Sequence, residues 1–143
     1  MKKISSGKLQ ELYLEQDADT ILRYTNIRRF VIANQIDHIL ECNIILIDPA
    51  EFMERVNPKN YTEHYQMPRL RTLKKCVELW NVRYKRWQID KHDIEYLIQE
   101  GMVTAFKHGN RWILNCDEVF EVLRDYVKTY KGHPLAKRKK HIK

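Results

Sequence analysis

Apolar residues in the second half of the chain recur first at a helical spacing and then at a strand spacing. Residues 73–80 and 94–98 carry apolar side chains at every third or fourth position, which predicts two amphipathic helices. Residues 83–90 connect them. Thr72 stands where a side chain can cap the first helix, and Gly101 stands where a left-handed residue can end the second.

A hairpin is predicted after the second helix. Short β-prone runs flank His108-Gly109-Asn110, so we expect two strands over about residues 103–114. From Asn115 the apolar spacing becomes helical again and predicts a third helix. Helix, helix, hairpin and helix is the element order of a winged helix-turn-helix unit.

The first half of the chain repeats this pattern when the sequence is shifted by 67 positions without a gap. Asn34 falls on Gly101, and both residue types tolerate the left-handed conformation that ends a helix. Ser5 falls on Thr72, so one helix-capping residue type matches another. The matched apolar pairs include Leu9/Cys76, Leu12/Leu79, Tyr13/Trp80, Leu22/Ile89, Ile27/Ile94, Phe30/Leu97, Val31/Ile98, Ile36/Val103, Ile39/Phe106, Ile45/Trp112 and Ile47/Leu114.

The start of the third helix carries the same signature in both halves. Asp48 falls on Asn115 and Glu51 on Glu118, which is the spacing of a capping box. Pro49 occupies a first-turn position that suits proline. We therefore interpret the two halves as a tandem duplication.

The repeat predicts an α+β fold, mainly helical, built from two tandem winged helix-turn-helix units. Residues 1–57 would form a degenerate unit and residues 69–130 a complete one; we call them the first unit and the second unit. Residues 58–68 are bracketed by prolines and predicted to be a linker, and residues 131–143 are predicted to be a basic tail.

Charge is divided unevenly in this chain, whose formal net charge is +7. Residues 1–67 hold eight Lys and Arg against ten Asp and Glu, whereas residues 68–143 hold eighteen against nine. A polyanion reached from the C-terminal half would explain the asymmetry. A solvated tail would explain the excess beyond residue 126 equally well.

Composition argues against several other classes of protein. No uninterrupted apolar run approaches the roughly 20 residues of a membrane span, and no apolar signal core follows the N-terminus. The three cysteines form no CxxC pair and their odd number fits a reducing compartment, so we expect a cytoplasmic protein. The sequence has no Gly-rich phosphate loop, nucleophile elbow or metal-ligand spacing of histidines, so we predict no enzyme, no metal site and no cofactor.

Three stretches of the second unit resemble the excisionase and MerR-type winged-helix family of phages and conjugative elements. They are residues 71–76, residues 93–103 and residues 106–115. The resemblance implies that the second helix lies in the major groove of DNA, and that the hairpin, or wing, touches the neighbouring backbone or the minor groove. It also implies a bacterial or phage-encoded protein.

Carried over by position, the resemblance implies a set of DNA-binding residues. Those on the exposed face of the second helix are Lys91, His92, Glu95, Tyr96 and Gln99, and those of the wing are Lys107, His108, Asn110 and Arg111. The interhelical connection, which is longer than a tight turn, adds Arg83, Lys85 and Arg86. Asp93, Glu95 and Glu100 lie on the same helix, where a groove lined by phosphates would repel them.

The first unit departs further from the family pattern. Its hairpin, residues 39–47, lacks a basic turn, and its interhelical connection, residues 15–19, is acidic. Arg28 and Arg29 lie outside the apolar face of its second helix and remain candidate DNA contacts.

Aromatic residues divide into two groups. Trp80, Phe106 and Trp112 are expected in the core. Tyr84 and Trp87 lie in the basic connection, where packing and stacking on nucleic acid are equally open.

Together with the basic hairpin tip, the resemblance implies a duplex-DNA-binding protein that bends DNA, either as an accessory that helps a recombinase or as a transcriptional regulator of a mobile element. Cations on an exposed hairpin tip suit a duplex because they release counterions from its phosphates. The alternative is an adaptor whose first unit holds a protein partner, with only non-specific affinity for nucleic acid. Self-association is also left open.

Overall fold

The computed structural model describes residues 3–59 and 67–130. The predicted basic tail and most of the predicted linker lie outside these residues. No helix in the described part of the chain is long and apolar enough to cross a membrane.

The fold is α+β, with six helices and two small antiparallel sheets in the described residues. The first unit contains β1 (Ile4–Ser5), α1 (Ser6–Gln16), α2 (Tyr24–Ala33), β2 (Ile39–Glu41), β3 (Ile44–Ile47) and α3 (Pro49–Val56). The second contains β4 (Leu70–Thr72), α4 (Leu73–Arg83), α5 (Lys91–Gln99), β5 (Ala105–His108), β6 (Arg111–Asn115) and α6 (Cys116–Tyr130).

Each sheet has a third strand that the sequence pattern did not predict. The strand orders are β1-β3-β2 and β4-β6-β5. In each unit, the short strand that precedes the first helix therefore pairs with the second strand of the hairpin. β1 has two residues and β4 has three, too few for an alternating pattern to be recognised. These strands attach each hairpin to the start of its unit's first helix.

Element order and strand register both recur at the predicted offset of 67 residues. Ile4 pairs with Ile47 in the first sheet, and Arg71 pairs with Leu114 in the second. α1 and α4 begin 67 residues apart, as do α2 and α5 and also α3 and α6.

The predicted helix caps are present, but the capping boxes of the third helices are not formed as expected. Asp48 accepts a hydrogen bond from the Ala50 N–H at 2.9 Å, and Asn115 accepts one from the Glu118 N–H at 3.1 Å. The Glu118 carboxylate, however, accepts from the backbone and hydroxyl of Thr104 instead of returning to Asn115. The Glu118 side chain therefore links α6 to Thr104, the residue that precedes β5.

Asp48 and Glu51 form no capping box either, since the cap bond of Asp48 goes to Ala50. Hydrogen bonding of the Glu51 carboxyl group with that of Asp37 holds the pKa of Glu51 above its usual range. Ser5 and Thr72, in contrast, cap α1 and α4 as predicted.

Helix α5 ends as predicted, whereas α2 does not. Gly101 adopts a φ of 69°, and the Met102 N–H returns to the Leu97 carbonyl. In the first unit the left-handed residue is Gln35, with a φ of 55°, and not Asn34, with a φ of −104°. The prediction for Asn34 is wrong because α2 runs one residue further and the Asn34 amide donates to the Phe30 and Lys107 carbonyls.

The core of the first unit includes residues of the second sheet. Leu70, Phe106 and Ile113 are buried with the first unit's apolar residues, and the Phe30 and Phe106 rings lie 5.2 Å apart. Leu114, on the other face of the second sheet, packs with Trp80 in a separate core. The second sheet is thus covered on both faces, once by each unit.

Trp80 and Phe106 are buried as predicted, but Trp112 is only half-buried. Trp112 lies near the tip of the hairpin, where the Lys107 Nζ stands 4.4 Å from the centroid of its ring. The core prediction was wrong for this residue because, one pair of strand residues from the turn, its ring is left partly exposed beside Lys107. Tyr84 packs on Trp80, with ring centroids 4.1 Å apart.

Buried polar contacts join the two units. Arg71 and Asp17 form a two-pronged ion pair, with both contacts at 2.7 Å and both side chains 8% exposed. The Asn115 amide donates to the Val56 carbonyl and to the Asn57 side chain. Because these directional bonds sit beside the shared core, they define how one unit lies on the other.

Candidate nucleic-acid interface

The tip of the second hairpin is an exposed basic turn. His108 pairs with Arg111, so the turn consists of Gly109 and Asn110 alone, and Gly109 has a φ of 63°. Lys107, Asn110 and Arg111 are exposed. The structure therefore places these predicted wing residues on one projecting turn.

Helix α5 presents a polar face to solvent. Lys91, His92 and Gln99 are exposed, and Tyr96 is half-buried against the second unit's core. His92 lies 3.0 Å from Glu95, which ties that acid to a neighbour on the same helix. This face can donate and accept hydrogen bonds, as groove recognition requires.

Asp93 does not belong to that face, contrary to expectation. It is fully buried and forms a reciprocal capping box with Asp90, in which each side chain accepts the other's N–H. The prediction was wrong because Asp93 stands at the third position of the helix, where a carboxylate can satisfy the orphan N–H of the N-cap. Only Glu95 and Glu100 of the three acids are exposed.

The long connection between α4 and α5 is anchored to α4. The Trp80 indole N–H donates to the Trp87 carbonyl at 2.7 Å, and the Asn81 side chain bonds both the N–H and the carbonyl of Ile89. Arg83 is the last residue of α4, and a defined loop presents Lys85 and Arg86; all three cations are exposed.

Two of these cations stack on the aromatic residues beside them. The Arg83 guanidinium lies 4.9 Å from the centroid of the Tyr84 ring, and that of Arg86 lies 5.6 Å from the Trp87 ring. Stacking fixes the planar groups without neutralising their charge.

The tip of the first hairpin differs in chemistry and backbone. Cys42 and Asn43 both adopt positive φ, 51° and 67°, in a two-residue turn. Arg28 donates to the Asn43 carbonyl at 2.9 Å, and the neighbouring Arg29 is exposed. Arg28 therefore lies beside an apolar hairpin, not a basic one.

A basic cleft of about 790 Å³ lies between the two units. Five of its ten lining residues are cationic, and we call them the cleft cations: Arg23, Arg69, Arg71, Lys75 and Arg111. Only Arg111 was predicted as a binding residue. No sequence signal marks the others, because they come together from segments that are far apart in the chain.

No group of three or more His, Cys, Asp or Glu residues in the described part of the chain is arranged to hold a metal ion. Comparisons with protein-family models, curated proteins and solved structures found no match.

Proposed function

We propose that the protein binds and bends duplex DNA, as an excisionase-like recombination accessory or as a transcriptional regulator of a mobile element, through a winged helix-turn-helix second unit. The observation that carries this proposal is the exposed turn with Lys107, Asn110 and Arg111, which follows two helices joined by a basic loop. Cations on such a turn can approach phosphates closely, since Gly109 adds no side chain.

The surroundings of the turn support the same function. α5 offers Lys91, His92 and Gln99 for base edges or phosphates, and the 84–90 loop offers Lys85 and Arg86. Burial of Asp93 removes one acid that would oppose a phosphate-lined groove.

Duplex binding tests the proposal most directly. Because several cations would each replace condensed counterions, the logarithm of the association constant should fall with the logarithm of salt concentration with a slope of roughly −4 to −5, for about five neutralised phosphates. Fluorescence anisotropy with a labelled duplex at a series of salt concentrations measures this slope.

Arg111→Ala should weaken duplex binding, whereas Glu41→Ala, on the first hairpin, serves as the control and should leave it unchanged or slightly stronger. Affinity that does not depend on salt, or equal effects of the two substitutions, would contradict the proposal.

A protein-binding adaptor is a second candidate, and the first hairpin favours it. Ile39, Leu40 and Ile44 are 47%, 53% and 52% exposed. Ile39 occupies the position of Phe106, which in the second sheet is covered by the first unit. An exposed apolar hairpin of this kind marks a surface for a protein partner.

A further inference from the structure

We propose that the cleft between the two units binds phosphate groups of the nucleic-acid backbone, so that both units hold the same duplex. This inference rests on the proposed DNA-binding function and extends it to residues that the resemblance does not include. The lining of the cleft contains five cations and one acid, Asp19.

Two of the cleft cations are already paired. Arg71 binds the Asp17 carboxylate, and Arg69 binds the Asp117 carboxylate at 2.7 Å through its Nε. These pairs form the wall of the cleft.

The other three cleft cations have no carboxylate partner within the described residues. They are Arg23, Lys75 and Arg111. They come from three segments: the entry to α2, the first turn of α4 and the start of β6. These three cations outnumber Asp19, the one acid in the lining, so they raise the local positive potential, and an anion in the cleft would lower it.

Arg23 is held in place without being neutralised. Its guanidinium is half-buried and donates to the carbonyls of Ala18, Thr20 and Leu22. Those bonds orient the guanidinium. Because the acceptors are uncharged carbonyl groups, the bonds do not neutralise its positive charge. A fixed guanidinium suits phosphate, because its planar donors match phosphate oxygens.

The cleft continues the predicted wing surface. Arg111 follows the Gly109-Asn110 turn directly and also lines the cleft. A DNA backbone that lies on the hairpin tip can therefore extend into the cleft and meet Arg23, which belongs to the first unit.

Lys75→Gln is the principal test, with Lys8→Gln as its matched control. Lys8 occupies the equivalent position of α1, with its N–H bonded to the capping side chain as in Lys75, but it does not line the cleft. Both changes remove one charge. Loss of one phosphate contact should lower the magnitude of the salt slope by about 1 and weaken binding to all sequences alike.

Lys75→Gln should therefore show the smaller slope, and Lys8→Gln should match the wild type. Arg23→Gln should act in the same direction, and a thermal melt reports whether that variant stays folded. If Lys75→Gln matches the wild type while Arg111→Ala still weakens binding, the cleft proposal is overturned and the DNA-binding proposal stands. Failure of the wild type to bind any duplex would overturn both.

Inorganic pyrophosphate separates the two sources of a phosphate group. It is titrated into the wild type and Lys75→Gln by calorimetry at constant ionic strength. Suppose that Lys75→Gln abolishes pyrophosphate binding but leaves the salt slope for duplex binding at the wild-type value. The cleft would then be assigned to a free phosphate ligand, and its assignment to the DNA backbone would be overturned.

Discussion

At the scale of the residue, the buried Asp17–Arg71 ion pair joins the connection between α1 and α2 to strand β4 of the second unit. Burial opposes ionisation of Asp17, but the hydrogen bonds and charge of Arg71 outweigh it and hold the pKa of Asp17 below its usual range. A lowered folded-state pKa stabilises the fold above the ordinary pKa of an aspartate, about 4. That contribution is lost as the pH falls through the folded-state value.

Asp17→Asn should destabilise the protein by about 3 kcal/mol near neutral pH, because it leaves a buried guanidinium without its counter-charge. The difference from the wild type should shrink as the pH falls below about 4, because the unfolded chain takes up a proton at Asp17 there, and it should vanish once the pH falls below the lowered folded-state pKa. Denaturant unfolding at a series of pH values from neutral to below about 4 measures the difference in unfolding free energy. Asp19→Asn, at an exposed neighbouring position, is the control. A difference that stays constant with pH would contradict the assigned role.

At the scale of the element, the caps of α3 and α6 stand at equivalent positions but differ in bonding: Asp48 accepts from the N–H two residues on, and Asn115 from the N–H three residues on. Asp48 caps α3 alone, whereas Asn115 caps α6 and also donates to Val56 and Asn57 across the units. The equivalent cap has thus acquired a second structural role in the second unit.

Asp48→Ala should lower the free energy of unfolding by about 1 kcal/mol, the usual value of a helix cap. Asn115→Ala should cost about 2–3 kcal/mol, because it also leaves buried polar groups of the first unit without their donor. Asp48→Asn keeps a capping oxygen and provides the control. Equal losses in the denaturant melts of Asp48→Ala and Asn115→Ala would show that the contacts across the units contribute nothing.

At the scale of the whole molecule, the two units form one body around a shared sheet. The first unit's helices cover the face of the second sheet that contains Phe106 and Ile113. Packing of this kind places Arg28 and Arg29 at a defined position relative to the basic hairpin. Under the proposed DNA-binding function, we expect the first unit to extend the footprint without a wing of its own.

The double change Arg28→Ala with Arg29→Ala should weaken duplex binding less than Arg111→Ala does, and it should shorten the footprint protected from nuclease. Because Arg28 also bonds the Asn43 carbonyl, Arg28→Lys with Arg29→Lys is the control that keeps both charges. An unchanged affinity and footprint, with Arg111→Ala still weakening binding, would indicate that the first unit contacts protein instead.

Local interactions account for what the sequence by itself determined. The helices, the hairpins and the caps at Ser5, Thr72, Asp48 and Asn115 all depend on groups within a few positions of one another. Helical periodicity, cap chemistry and a Gly-Asn turn act at that range, so they can be recognised in the chain alone.

Only the tertiary structure decided which surfaces meet. The covered face of the second sheet, the Arg71–Asp17 pair and the basic cleft each join segments about fifty residues or more apart, for which a single sequence carries no pairing information. Asn34 was misplaced for the same reason, since part of its bonding goes to Lys107 in the other unit. Asp93 and Trp112 differ from expectation because spacing predicts a face of an element, whereas burial depends on what covers that face.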